Sequence, residues 1–224
     1  MLKEDMQVIE KRGIRFVLDK SGNPVRFTPW LGDSVSFLYD IIMKRSVIPR
    51  KLGADMERHY EILKQFLNGV HGKSVIEVAT GTGSMVNFLP PDNHYTGTDI
   101  SPGLLRKAVV NVKVAGFTEP EFYVARADDL PFTDGKFDVG LCVLSLNFFP
   151  DVQAVLREIR RVIVPSGVFL CSVPVPERNH RRSMIRGTLY PEEALRELCQ
   201  EAGFTFDVIP EENGTLLYFK AIAC

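Results

Sequence analysis

From Val75 onward, short apolar runs alternate with amphipathic stretches. The runs predict strands at 74–80, 94–100, 120–126, 137–144, 167–173, 204–210 and 215–222. The stretches between them predict helices at about 84–89, 102–115, 151–162 and 191–202. Within 151–162, Val152, Val155, Leu156, Ile159 and Val162 recur at helical spacing and charged residues fill much of the remainder. Pro191 suits a first helical turn, and Gly203 sits where a helix stops. Strands separated by helices imply a parallel sheet with right-handed crossovers. The end of the chain departs from that rule: "FTFDVIP" and "TLLYFKAIA" are joined only by "EENG", with no room for a helix. They read as an antiparallel pair closing the sheet edge.

The first seventy residues carry a different pattern. "IRFVLDKSGNPVRF" predicts a hairpin turning at Ser21–Gly22–Asn23, and helices follow at about 33–45 and 54–69, with Pro49 and Gly53 between them. Residues 1–70 are expected to form a cap or lid of hairpin plus helices, and residues 71–224 the α/β core. Such a preface often covers the C-terminal edge of the strands, where ligands bind in this class.

Composition narrows the partners. A chain of 224 residues with 45% apolar content can bury one sizeable core. A formal net charge of −1 provides no global field for nucleic acid or an anionic membrane, so no nucleic-acid partner is expected. No window approaches the roughly 20 apolar residues of a membrane span, and "MLKEDMQVIEKRG" is too charged for a secretory leader. Cys142, Cys171, Cys199 and Cys224 lie far apart without CxxC pairs or nearby histidines. That spacing argues against a zinc site or a disulfide framework, predicts core packing for Cys142 and Cys171, and suits a cytoplasmic location.

The chemistry concentrates in "VIEVATGTGSMVNFLPPDNHYTGTDIS", residues 75–101. A glycine-rich turn after a first strand lets backbone approach a ligand and opens toward a helix N-terminus. A dinucleotide fingerprint wants a third small residue, and Gly81-x-Gly83-x-x-Val86 offers valine. Glu77, four positions before Gly81, lies inside the first strand. A carboxylate there repels a pyrophosphate and suits a cation. S-adenosylmethionine has a sulfonium, an ammonium and a ribose diol, and no phosphate. Glu77 suits its cationic amino-acid end, and Asp99, at the end of the second strand, can accept from both ribose hydroxyls.

Five motifs in one order resemble the class I S-adenosylmethionine-dependent methyltransferases, in particular their ubiquinone/menaquinone-biosynthesis-like (methyltransferase type 11) group. They are "VIEVATGTG", "GTDIS", "ARADDLPFTDGKFDVGLCVLSLNFFPD", "EIRRVIVPSGVFLCSVP" and "LYPEEALRELCQEAGF", within about 74–222. The resemblance implies a Rossmann-like α/β fold: a seven-stranded, mostly parallel sheet with its last strand antiparallel, helices on both faces and the N-terminal cap. It implies S-adenosyl-L-methionine as cofactor and S-adenosyl-L-homocysteine as product. The cofactor contacts it implies fall on Tyr39, Glu77, Ala79, Gly81, Gly83, Asp99, Ile100, Ala127, Asp128 and Val143. Tyr39, in "FLYDIIMKR", corresponds to a tyrosine that closes over the methionine carboxylate. There are departures. Ala79 stands where the family has its first glycine. Arg126 stands where the family often has an aspartate accepting from the adenine amino group, which leaves Asp128 or a backbone carbonyl for that contact. Asn147 and Phe148 stand where many relatives carry histidines.

Methyl transfer from a sulfonium needs mainly alignment of a nucleophile behind the methyl and exclusion of water. A base is required only for a nucleophile protonated at neutral pH. Asn147 is the candidate for orienting the acceptor and His180, in "PERNHRRSMIRG", the candidate base. Around it Arg178, Arg181, Arg182 and Arg186 concentrate positive charge that suits an anionic small molecule. Trp30, Phe37 and Phe148 are candidate apolar walls. The expected function is methyl transfer to a small-molecule acceptor, with no metal. Three alternatives stay open: an RNA or protein methyltransferase, a nicotinamide-dependent oxidoreductase, and a binding protein that keeps the cofactor without transfer. "NFFP" occupies the place of the Asn-Pro-Pro-aromatic motif of amino-methylating enzymes but lacks its paired prolines. The oligomeric state is left open.

Overall fold

The computed structural model describes residues 1–4, 6–25, 27, 55–179, 185–211 and 214–224. The helix expected at 33–45, with Trp30, Phe37, Tyr39, Pro49 and Gly53, lies outside them, as do His180, Arg181 and Arg182. Among the described residues the chain forms nine strands: β1 Val8–Lys11, β2 Ile14–Val17, β3 Ser74–Val78, β4 His94–Asp99, β5 Glu121–Val124, β6 Phe137–Val143, β7 Ile163–Pro174, β8 Asp207–Val208 and β9 Leu216–Ile222. Four α-helices accompany them: α1 Met56–Leu67, α2 Pro102–Val114, α3 Val152–Val162 and α4 Glu192–Glu201.

The strands make one sheet in the order β1-β2-β5-β4-β3-β6-β7-β9-β8. Neighbours from β2 to β7 run parallel, whereas β1 is antiparallel to β2, and β9 is antiparallel to both β7 and β8. The chain builds outward from β3 to β4 and β5, then crosses to β6 on the other side. The β3–β6 boundary is therefore the switch point, where a crevice opens at the carboxyl ends of the strands.

Two apolar clusters lie on opposite faces of the sheet. Strand alternation sends Val75, Phe122 and Leu141 toward α1 and α2, and Ile76, Tyr123 and Cys142 toward α3 and α4. All five apolar positions read from 151–162 are buried on α3. Three helices start on side-chain caps: Asp55, Ser101 and Asp151 accept backbone N–H groups of α1, α2 and α3. α4 follows Pro191 and ends before Gly203, which takes a φ of +87°.

Three expectations are corrected. The sheet has nine strands rather than seven, because residues 8–17 of the expected cap pair along β5, where Arg15 and Phe16 register with Tyr123 and Val124. An edge strand left bare would expose a row of unpaired backbone groups. That hairpin turns at Arg12 and Gly13, both at positive φ. The expected turn at Ser21–Asn23 also forms, closed by Asp19 Oδ1 accepting from Ser21 N at 2.8 Å and Asn23 N at 3.0 Å. The helix expected at 84–89 is a single 3-10 turn, Ser84–Asn87, before Pro90 and Pro91. β7 begins four residues early: α3 runs directly into it, and Pro165–Ser166–Gly167 falls at an irregularity in the β6–β7 register.

Candidate functional site

At the carboxyl end of β3 the backbone turns through three left-handed residues. Ala79, Gly81 and Gly83 take φ of +55°, +56° and +73°. The first strains an alanine where the related motif has glycine. Gly83 has a second reason to lack a side chain: a Cβ there would stand 3.0 Å from Val112 Cγ2 and 3.2 Å from Ala108 Cβ of α2. The turn is tied to β4 by Thr80 N donating to Thr98 O at 2.9 Å, and to α2 by Asn111 Nδ2 donating to Thr82 O at 2.9 Å.

Asp99 closes this arrangement. One carboxylate oxygen accepts from Gly81 N at 2.9 Å and the other from Ser101 N at 2.8 Å. The same side chain thus fixes the glycine turn and the start of α2, at 9% exposure. Ile100 beside it is 41% exposed, an apolar surface at the lip of the crevice.

Glu77 is 3% exposed and lies on the α1–α2 face. Its Oε2 accepts from Thr80 Oγ1 at 2.7 Å and from the Tyr95 hydroxyl. Burial pushes the Glu77 carboxyl up to about 7; the hydrogen bonds of Tyr95 and Thr80 pull against that rise, and the charge of Asp99 adds to it. Gly97, in register with Glu77, makes room for the group, since a Cβ there would stand 3.0 Å from Thr80 Cγ2. Neither Thr80 nor Tyr95 stands out in the sequence. The available signal was period-two alternation, which puts Tyr95, Gly97 and Asp99 on one face of β4.

Past β5, Ala127 is partly buried against the core, and Asp128 is held by Arg126, whose Nε donates to Oδ1 at 2.7 Å. That ion pair keeps the Asp128 carboxyl below its usual range. The arginine that departs from the related motif therefore engages the residue expected to replace it. Val143 ends β6, and Leu144 follows at φ +56° with its N–H on Ser172 O.

Asn147 is 2% exposed and bound to backbone. Its Nδ2 donates to Arg186 O at 2.7 Å, and its own carbonyl accepts from Thr188 N at 2.8 Å. Gly187, at φ +88°, fits between them only because a Cβ would stand 2.0 Å from Asn147 O. Among the described residues, Asn147 Oδ1 is buried without a hydrogen-bond partner, as are Ser172 Oγ and Thr215 Oγ1 at the same end of the sheet. Phe148 is exposed. Of the arginine-rich loop, Arg178 is turned inward to Leu216 O, Glu211 O and Glu192, and Arg186 is exposed.

Sequence reasoning also missed a buried pair: His59 Nδ1 lies 2.7 Å from the Tyr218 hydroxyl, between α1 and β9. Burial lowers the His59 pKa to about 4, so the ring is neutral. A cavity of about 570 Å³ lies at the opposite, amino-terminal edge, among Glu10, Arg15, His94, Glu121 and Lys136. Its charges are met internally: Arg15 and Lys136 both pair with Glu121, and Arg15 also with Glu10. It is remote from the glycine turn.

The comparisons with known proteins fall on the crevice side. Residues 76–171, from β3 into β7, match the family described as "Methyltransferase domain". That stretch of the chain is similar to a methyltransferase domain. Curated relatives agree: the demethylmenaquinone methyltransferase of Listeria welshimeri is 35% identical over 104 residues, 45% of this chain and 44% of that protein. The protein of the same name from Bacillus velezensis is 30% identical over 111 residues, 48% of each. The match thus spans less than half the length of these relatives. Among solved structures, the Haloferax volcanii complex of the Trm112 methyltransferase activator with a methyltransferase matches with a TM-score of 0.68 at 19% identity, over 86% of this chain and 96% of that one. A SAM-dependent methyltransferase from Aquifex aeolicus matches at 0.62 and 17%, over 83% and 98%. These structures share the Rossmann-like fold of the methyltransferase domain.

The described residues fit S-adenosylmethionine by donor chemistry. A carboxylate at the β4 end suits a diol, a buried carboxyl under the turn suits a cation, and an exposed isoleucine suits a ring face. Among the described residues, no group of three His, Cys, Asp or Glu could hold a metal ion, and no helix is long and apolar enough to cross a membrane.

Proposed function

We propose that this chain is an S-adenosylmethionine-dependent methyltransferase acting on a small-molecule acceptor. The observation that carries this reading is the pair of carboxyl groups, Glu77 beneath the glycine turn and Asp99 beside it, each held by neighbours. A pyrophosphate on that turn would meet two acids, whereas a cationic amino acid and a ribose diol meet complementary groups. When bound, the cofactor supplies an activated methyl group on a sulfonium.

The protein's part is binding, orientation and exclusion of water. Asp99 would accept from the ribose hydroxyls, Glu77 would face the ammonium end, Ile100 would cover the adenine and Ala127 would offer its backbone. Gly81 and Gly83 keep the turn open to backbone contact. Tyr39 and His180 keep their proposed places, over the methionine carboxylate and as acceptor base. Asn147 would work through the loop it clasps, fixing Ile185 to Thr188 beside the β6 end, rather than by touching the acceptor. Arg186 and Phe148 would line the acceptor side.

A small-molecule acceptor is supported by the relatives' name and by the chain's near-neutral charge, and the widely spaced cysteines without CxxC pairs support a cytoplasmic enzyme. Titration calorimetry with S-adenosylhomocysteine against NAD tests the cofactor. Binding of NAD alone would replace this reading with the oxidoreductase. Methyl incorporation from labelled cofactor across a metabolite panel tests the acceptor, and incorporation only into RNA or protein would exclude the small molecule.

A further inference from the structure

Tyr95 is almost entirely buried, with its ring against Phe117 and Phe122, and its hydroxyl reaches Glu77 rather than water. Thr80, in the turn itself, places a second hydroxyl on the same oxygen, and the two hydroxyls also touch one another. Among the described residues, the titratable and charged groups facing the Glu77 carboxyl are Tyr95 and Asp99, both from β4. Among the described residues, no arginine or lysine is paired with it. A buried carboxyl with two hydroxyl donors and a like-charged neighbour is poised between its protonated and ionised forms. A cation arriving at the turn shifts that balance toward the carboxylate.

We propose that Tyr95 and Thr80 are positioning residues that aim Glu77 at the cofactor's ammonium, and that cofactor binding expels a proton from Glu77 to solvent. The proposal rests on the S-adenosylmethionine reading and adds to it a hydrogen-bonding pair and a proton count. Its direction follows from charge: the ligand binds the ionised form, so affinity rises with pH until Glu77 is ionised without help. Burial already holds that carboxyl at about 7, which places the effect near neutrality.

The test is calorimetric titration of the full chain with S-adenosylhomocysteine between about pH 6 and about pH 8.5, in buffers of different ionisation enthalpy. Wild type should lose affinity toward acid, approaching tenfold per pH unit below about pH 7, and release about half a proton near neutrality. Glu77→Gln should bind more weakly with neither slope nor release. Tyr95→Phe keeps the ring and removes the donor, so it should move the affinity midpoint up by about one pH unit and regain affinity in alkali. A merely structural role for the hydroxyl would not produce that recovery. Should Tyr95→Phe fail to fold, Thr80→Val should shift the midpoint the same way, while Thr80→Ser keeps the wild-type profile. An affinity independent of pH, or proton release that persists in Glu77→Gln, overturns the proposal while leaving the cofactor reading intact. Absence of S-adenosylhomocysteine binding at every pH overturns the cofactor reading and the proposal with it.

Discussion

At the β3–β4 half of the crevice, the polar groups answer one another before any ligand is considered. Gly81 and Ser101 donate to Asp99, while Thr80 and Tyr95 donate to Glu77. At the β6–β7–β9 half, Asn147 Oδ1, Ser172 Oγ and Thr215 Oγ1 are buried with no hydrogen-bond partner among the described residues. Leaving such an atom unmet costs on the order of 1–3 kcal/mol. The first half is organised by contacts within one short stretch of chain and suits a ligand of fixed shape. The second is assembled from segments far apart in sequence and retains polar groups that its own side chains do not use. The contrast supports the proposed reading of a cofactor on the first side and an acceptor on the second.

The strongest way to break the comparison is Asp99→Ala. It removes the acceptor proposed for both ribose hydroxyls and releases two backbone N–H groups, and should weaken S-adenosylhomocysteine binding by about 4 kcal/mol, near a thousandfold. Unchanged affinity in a folded variant would place the ribose elsewhere.

On the acceptor half, Gly187→Ala should cost about 3 kcal/mol of stability, because its Cβ would collide with Asn147 O at a φ of +88°. Denaturant unfolding checks this. If stability hardly changes, the loop is not clasped by Asn147. Cofactor affinity should stay near wild type, since the cofactor half is built without that loop.

A third prediction sets the two halves against each other through pH. Folded Glu77, at about 7, holds a proton that the unfolded carboxyl has lost above about 4.5, so its contribution to stability falls as pH rises across that interval. Folded His59, at about 4, has lost a proton that the unfolded ring keeps up to about 6.5, so its contribution rises with pH. From about pH 5 to about pH 6.5 the two slopes oppose and the ligand-free protein should show little change. Glu77→Gln should then gain about 1–2 kcal/mol over that interval and His59→Gln should lose about as much. Parallel curves for wild type and both variants would refute the assignment.

Ser172→Ala removes a buried hydroxyl with no hydrogen-bond partner among the described residues and should stabilise the fold by about 1 kcal/mol. A clear loss of stability would mean that the hydroxyl has a structural partner. Smallest, Ala79→Gly relieves a left-handed alanine at the expense of a more flexible unfolded chain, for a net gain of about 0.5 kcal/mol in thermal unfolding.

The geometry of the proposed cofactor half was largely legible because its signals are local. Glu77, Gly81, Gly83 and Asp99 lie within 23 residues of one another, and a strand, a glycine turn and a second strand suffice to place them. Asn147 was picked out by its place after β6, but its binding to Arg186 and Thr188 was hidden by some 40 intervening residues. His59 and Tyr218 are 159 positions apart, and nothing near either one announces the other.

The sequence by itself determined the strand and helix order from Val75 onward and the glycine turn with its two acids, because periodicity and backbone sterics act over a few residues. Only the tertiary structure decided that residues 8–17 would complete the sheet along β5, that Tyr95 and Thr80 would hold Glu77, and that Asn147 would spend its amide on a distant loop. Those outcomes depend on which open strand edge and which buried polar group meet across the fold. Backbone pairing and burial impose the need for such partners, while chain topology chooses them.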